Sequence, residues 1–309
     1  MATRFELVLH GDDEGHLRSA GEEAIREIKR IAKRFSFYGP ASELSRVNRV
    51  AGERPVRVSG ELFELLSLCQ NVYHDSRGAF DPTVGPLLRA WGFTSGTPQR
   101  PGESELKRAL SVTGFENVSL DGSDSSVRFL AKGIELDLGG IAKGWALDEC
   151  KSLLKDAGID CALLHGGTSS VLTIGTDSTG GPWRIGIEDP YEREDLNESD
   201  EDPNWFSHCD LAGTALSVSA IHGKSFVQND TEYGHVIDPR TGHSITGPIV
   251  SAVAGHSAAL ADAWSTAMLV TTKQDGQFEF QDVTAAASFE KVESRWTLRS
   301  GVWDGFPPP

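Results

Sequence analysis

Phe5, Leu7 and Leu9 alternate with Glu6 and Val8, the period-two pattern of a half-buried strand. Beyond it, Ile25, Ile28, Ile31 and Phe35 mark one apolar stripe at helical spacing, with Ser19 and Glu22 in the positions of a capping box. Ser59 opens a second helical stretch carrying Leu62, Leu65, Leu66, Cys69 and Val72. From Val127 onward the period shortens. The segments VRFL, IELDL, CALLH, VLTIG, WRIGIE, ALSVS, KSFVQ, HVIDP and IVSAVA each predict a short strand. Helical patterns near 141–157, with Gly158 as its stop, and near 257–273 interrupt them. Strands that do not alternate strictly with helices predict an α+β fold of mainly antiparallel sheets packed by helices. No fixed-period repeat or clean linker divides the chain, so a single composite domain over 1–309 is expected. The polar run at 191–204 reads as an acidic surface insertion, and the GFPPP tail as a poor candidate for ordered structure.

Composition narrows the classes of partner. A formal net charge of −16 argues against a nucleic-acid surface, which needs clustered Lys and Arg. An anionic ligand would have to be gripped locally, by helix N-termini, a few cations or a metal. Four scattered cysteines show no C-x-x-C spacing and suit core thiols in a reducing compartment. The opening MATRFELVLHGDDEGH has no basic and apolar leader pattern, and no apolar run approaches the roughly 18 residues of a membrane span. A cytoplasmic location is expected.

The stretch LDLGGIAKGWALDE carries the first candidate chemistry. Ile134, Leu136 and Leu138 read as the end of a strand, and Gly139 and Gly140 as a turn where a ligand can approach the backbone. The helix that follows offers free N–H groups and Lys143 a point charge, while Asp148 can accept from a sugar hydroxyl. The alternative is a plain glycine-rich turn. In ADAWSTAM, Asp262 and Thr266 stand at i and i+4 on one helix face, half of a hard-cation site that backbone carbonyls near Ala142 can complete. Otherwise Thr266 bonds back to its own helix and Asp262 is solvated. His235 and Asp238 precede a Pro-Arg-Thr-Gly turn. Phe80, Trp91 and Phe93, in and beside a Pro- and Gly-rich loop, offer planes for a flat heterocycle or else pack the core.

FSFYGPASELSRVN, GAFDPTVGPLLRAWGF, DLGGIAKGWALDE, LLHGGTSSVLTIG, GHVIDPRTG and ADAWSTAM, in that order, resemble the ApbE family of FAD:protein FMN transferases. The likeness runs from about Met1 to Val270, with Ala2 where the family usually has glycine. It implies an ApbE-like, T-fold-like architecture and an enzyme that uses Mg²⁺ and FAD. Such an enzyme attaches FMN to a Thr or Ser hydroxyl of a target flavoprotein and releases AMP. By motif, Tyr38 and the Ala79-Phe80-Asp81 turn would contact FAD, with Gly139, Gly140, Lys143, Trp145 and Asp148 around its phosphates, ribose or adenine. His235 and Ile237 would also lie against FAD, His235 at the reacting phosphate or the flavin. Asp262, Thr266 and the Ala142 carbonyl would hold Mg²⁺. The base for the acceptor hydroxyl is either His235 or Asp262. Two rival functions use the same residues, a Mg²⁺-dependent FAD pyrophosphatase and a non-catalytic FAD-binding or storage module.

Overall fold

A computed structural model describes residues 3–191, 205–221, 225–271, 278, 280, 282–293 and 295–304. All of the expected acidic insertion except Tyr191, and the GFPPP tail, lie outside them. The chain gathers into two units. Arg30–Ala142 and Gly223–Thr246 form one; Ala2–Lys29, Lys143–His222 and Gly247–Pro309 form the other. Each is assembled from stretches far apart in sequence, so no single linker is there to be read.

The second unit is built on a seven-stranded sheet. Its order is Phe5–His10, Cys161–Gly166, Ser170–Ile174, Ala215–Ala220, Ile249–Gly255, Val283–Val292 and Arg295–Val302, antiparallel throughout. Strand alternation separates two chemistries. Leu216, Val250, Ala252, Ala254, Ala287 and Phe289 join an apolar cluster with Trp303 and with Ile187 and Leu211 of the Trp183–Glu188/Trp205–Leu211 hairpin. The intervening serines point the other way: the Ser251 hydroxyl donates to the Ser265 carbonyl, and Ser219 and Ser265 share a hydrogen bond, both within the helix–sheet layer of Ala258–Val270. The helix Ala142–Asp156 ends as expected, with Gly158 at φ +76° and the Ile159 N–H returning to the Leu154 carbonyl.

The Ser19–Glu22 capping box does not form. The helix runs from Glu14 to Arg34, and Asp13 caps it by accepting from the His16 N–H at 3.0 Å. Buried Ala20 and Ala24 extend the Ile28–Ile31 stripe toward the N-terminus.

In the first unit Ser59 caps the helix Gly60–Asp75, which buries Leu62, Leu65, Leu66, Cys69 and Val72 as the pattern predicts. Each such side chain contributes about 1.5–3 kcal/mol of apolar burial. A small sheet places Ser126–Phe129 between Val56–Arg57 and Val118–Asp121. A second core joins Leu87, Ala90, Trp91, Ala109 and Ile237, with Phe93, Phe226 and Tyr233 packed on it.

Two strands expected in this unit are absent. IELDL has the buried alternation of a strand, with Ile134, Leu136 and Leu138 buried, but only one bridge, Val84 to Glu135. The Asn48 side chain replaces the missing neighbour: its Nδ2 donates to the Leu136 carbonyl and its Oδ1 accepts from the Leu136 N–H, at 3.0 and 2.8 Å. HVIDP likewise follows the strand Thr231–Gly234 instead of forming one, with a single bridge from Ile237 to Ser244. The molecule is α+β with antiparallel sheets and packed helices. Among the described residues no helix is long and apolar enough to cross a membrane.

Candidate functional site

The second unit brings Lys143 and Asp262 together across the sequence. Asp262 is 2% exposed on the apolar helix Ala258–Val270, and its carboxylate is surrounded by donors. Oδ1 accepts from the hydroxyls of Ser170 and Ser217, both at 2.6 Å. Oδ2 accepts from the Gly144 N–H at 2.8 Å and faces the Lys143 ammonium at 3.4 Å. A buried carboxylate persists as an ion only when so paired. The expectation of a solvated Asp262 is thereby excluded.

Gly144 makes this approach possible. A Cβ there would stand 2.0 Å from the Ala258 carbonyl oxygen, so the helix Ala142–Asp156 can lie against the start of Ala258–Val270 only with glycine at this position. Asp148, one turn on, locks the same junction. Its oxygens accept from the Ser257 hydroxyl and from the N–H groups of Ala258 and Ala259, at 2.8–2.9 Å. Burial pushes its carboxyl upward against these three bonds. The expectation that Asp148 accepts from a ligand sugar is corrected: its carboxylate caps a helix about 110 residues away in sequence.

Trp145 is 7% exposed, and its Nε1 has no hydrogen-bond partner among the described residues. A buried donor without an acceptor costs about 1–3 kcal/mol, a demand that a ligand acceptor relieves. Thr266 bonds back, its hydroxyl donating to the Asp262 carbonyl at 3.1 Å, which leaves its oxygen lone pairs available. The oxygens of Asp262 and Thr266 are the hard donors that Mg²⁺ takes. The Lys143 contact is longer than the usual N⁺–H···O⁻ distance of about 2.7–2.9 Å, so a positive charge is accommodated at Oδ2 without a tight bond. This donor set fits a hard cation. Ala142, the third expected ligand, is the last residue of the first unit.

The first unit holds the other expected residues. Tyr38 is 69% exposed, edge-on to Phe37 at 5.3 Å, with its phenol pushed up by burial and by the Asp137 charge. Ala79, Phe80 and Asp81 are buried. Asp81 Oδ1 accepts from both the N–H and the hydroxyl of Thr83, and burial raises its carboxyl to about 7. The Gly139 N–H donates to Asp137 Oδ1 at 2.6 Å, and Gly139 and Gly140 form the expected turn. His235 is half-buried just after the strand Thr231–Gly234. Asp238 is tied to Arg240 at 2.8 Å.

The aromatic reading needs correction. Trp91 is 1% exposed, donates its Nε1–H to the Gly242 carbonyl at 2.9 Å and packs on Tyr233, and Phe93 packs on Phe226. They are core, as is the Ile237 side chain, which leaves Ile237 only its backbone for a ligand.

Motif reading missed Ser170, Ser217 and Gly144. The signal for the two serines was a hydroxyl on the mostly apolar strands SVLTI and ALSVSA, where it must find a buried partner.

A sequence model of the ApbE family matches residues 1–286. The chain belongs to the ApbE family. It is 30% identical over 275 residues to the FAD:protein FMN transferase of Rhodobacter capsulatus, a match covering 88% of this chain and 50% of that one. It therefore spans half the length of that relative. It is also 30% identical to the FAD:protein FMN transferase of Vibrio cholerae, over 82% of this chain and 74% of that one. The crystal structure of the ApbE protein from Thermotoga maritima shares the fold at TM-score 0.80 and 27% identity, covering 98% of this chain and 94% of that one.

Proposed function

We propose that this ApbE-family chain is a Mg²⁺-dependent FAD:protein FMN transferase. It attaches FMN through a phosphoester to a Thr or Ser hydroxyl of a target flavoprotein and releases AMP, with 1–309 acting as one catalytic domain. The observation that carries the reading is the buried Asp262, held by Ser170, Ser217 and Gly144 beside Lys143 in a chain whose family match covers 1–286.

The residues divide the work. Asp262 Oδ2 and the Thr266 hydroxyl, with the Ala142 carbonyl, would hold Mg²⁺, which when bound neutralises pyrophosphate charge. Lys143 adds a second positive charge for the phosphates, and the Trp145 indole N–H finds its acceptor on the ligand. Gly139 and Gly140 would admit the ligand to the backbone, and the exposed Tyr38 would offer FAD an accessible ring. Asp81 positions the Phe80 turn from within. Asp148 acts at one remove, by fixing the N-terminus of the helix that carries Asp262.

The attacking hydroxyl must lose a proton. Both lone pairs of Asp262 Oδ1 and one of Oδ2 are taken by Ser170, Ser217 and Gly144, and the loosely filled one facing Lys143 is the one that would go to Mg²⁺, so none is left to act as base. His235 is the base in this reading.

The test is stoichiometric. With FAD, MgCl₂ and a candidate flavoprotein, AMP released should equal the FMN adduct found on the acceptor by mass spectrometry, and EDTA should stop both. AMP and free FMN without adduct would assign a pyrophosphatase instead. FAD bound and never cleaved would assign a storage module.

A further inference from the structure

Ser170 and Ser217 are direct partners in the sheet register, on the neighbouring antiparallel strands Ser170–Ile174 and Ala215–Ala220. Each is 1% exposed, and each donates its hydroxyl to the same atom, Asp262 Oδ1, at 2.6 Å. The direction of the Ser217 bond is set by the carboxylate, which only accepts, and the Ser265 hydroxyl lies behind, 3.2 Å from the Ser217 oxygen and 2.9 Å from the Asp262 carbonyl. A carboxylate oxygen has two lone pairs. Both lone pairs of Oδ1 are taken by the fold itself. The other oxygen takes the Gly144 N–H, and only its remaining direction, toward Lys143, is loosely filled.

Such a carboxylate can give a cation one oxygen and no more. Mg²⁺ is satisfied by single oxygens in an octahedron. Ca²⁺ is larger, takes six to eight ligands and commonly draws both oxygens of a carboxylate. We propose that Ser170 and Ser217 are specificity-determining residues that hold Asp262 to one-oxygen coordination and so select Mg²⁺ against Ca²⁺. The selection is written into the sheet register, since a strand slip of one residue would turn Ser170 or Ser217 to the opposite face. This rests on the reading of Asp262 as a cation ligand, but it does not require that FMN be transferred.

The experiment is calorimetric titration of the full-length protein with MgCl₂ and, separately, CaCl₂, on the native chain and on the Ser170→Ala, Ser217→Ala, Ser217→Thr and Asp262→Asn variants. Circular dichroism melting identifies the variants that fold. The native chain should prefer Mg²⁺. In each Ala variant the Ca²⁺-to-Mg²⁺ affinity ratio should rise by about tenfold or more, the scale of effect that groups behind a metal ligand exert. Ser217→Thr, which keeps the hydroxyl, should retain the native ratio, and Asp262→Asn should lose both cations. Infrared difference spectra of the native chain, metal-loaded minus metal-free, give a reading that needs no serine variant: the Asp262 carboxylate should show one-oxygen coordination with either cation. An unchanged ratio in both Ala variants, a two-oxygen signature, cation uptake that survives Asp262→Asn, or no uptake by the native chain would each overturn the proposal. FMN transfer is scored separately. A native ratio in the Ala variants of an active transferase sinks the serine assignment alone, whereas a shifted ratio in a chain that never transfers FMN sinks the functional reading alone.

Discussion

Asp81 and Asp262 are both buried carboxylates, 5% and 2% exposed, yet the two units treat them differently. Asp81 finds its side-chain and nearest N–H partners two residues away, in Thr83, whose hydroxyl in turn accepts from the Gly114 N–H. That local turn does not offset the loss of water, and the carboxyl rises to about 7. Asp262 draws Ser170, Ser217, Gly144 and Lys143 from sequence separations of 92, 45, 118 and 119 residues. The turn supplies Thr83 donors to one oxygen of Asp81, whereas long-range convergence supplies donors to both oxygens of Asp262. The nearest donors of the first arrangement lie within one turn, whereas the second ties distant segments to a single side chain.

The largest effect is expected at Asp262. Asp262→Ala would leave the Lys143 charge and two serine hydroxyls facing an empty space, and should destabilise the second unit by about 3–5 kcal/mol. Urea unfolding followed by near-ultraviolet circular dichroism checks this, and a midpoint within error of the native one would show that the four donors do not act together.

Gly144→Ala follows. A methyl 2.0 Å from the Ala258 carbonyl oxygen forces the helices apart and draws the Gly144 N–H away from Oδ2. A loss of about 3 kcal/mol is expected, together with weaker Mg²⁺ binding by calorimetry. Retention of both would mean the junction is looser than the Asp262 geometry requires.

At Asp81 the sign is that of a raised acid. Between about pH 4, where the unfolded carboxyl titrates, and about pH 7 the folded chain holds a proton that the unfolded chain has lost. Its contribution to stability therefore falls as pH rises through that window. Asp81→Asn should flatten the decline in urea midpoint between pH 5 and 7.5. An undiminished slope would mean that Asp81 is ionised throughout.

Lys143→Ala is the mildest change. The side chain is 22% exposed and its bond to Asp262 is long, so the melting temperature should barely move. FAD binding should weaken about tenfold through loss of one charge-assisted contact. A large fall in melting temperature would make Lys143 a structural counter-ion for Asp262.

What was legible in the sequence follows the same division. Local signals could be read: Ser59 as a cap, the apolar stripe from Leu62 to Val72, Gly158 as a helix stop, and Asp262 with Thr266 on one helix face. Groups whose partners are distant were misread or missed. Asp148 looked like a ligand acceptor because the N–H groups it caps lie about 110 residues on. IELDL looked like a strand because its side chains alternate as a strand's do, while the hydrogen bonds come from Asn48, 88 residues earlier. Trp91 and Phe93 looked available because nothing near them in sequence shows that Phe226 and Tyr233 cover them.

In the proposed function, the transfer of FMN depends on Asp262 and the distant donors that hold its carboxylate. Asp262→Asn keeps the size of the side chain and removes its charge. The most direct measurement is the intact mass of an acceptor flavoprotein after incubation with FAD, MgCl₂ and either the native chain or Asp262→Asn, folding confirmed for both. An FMN adduct is expected with the native chain and none with the variant; an adduct formed by the variant at the native rate, or by neither protein while FAD is still cleaved, would contradict this role of Asp262.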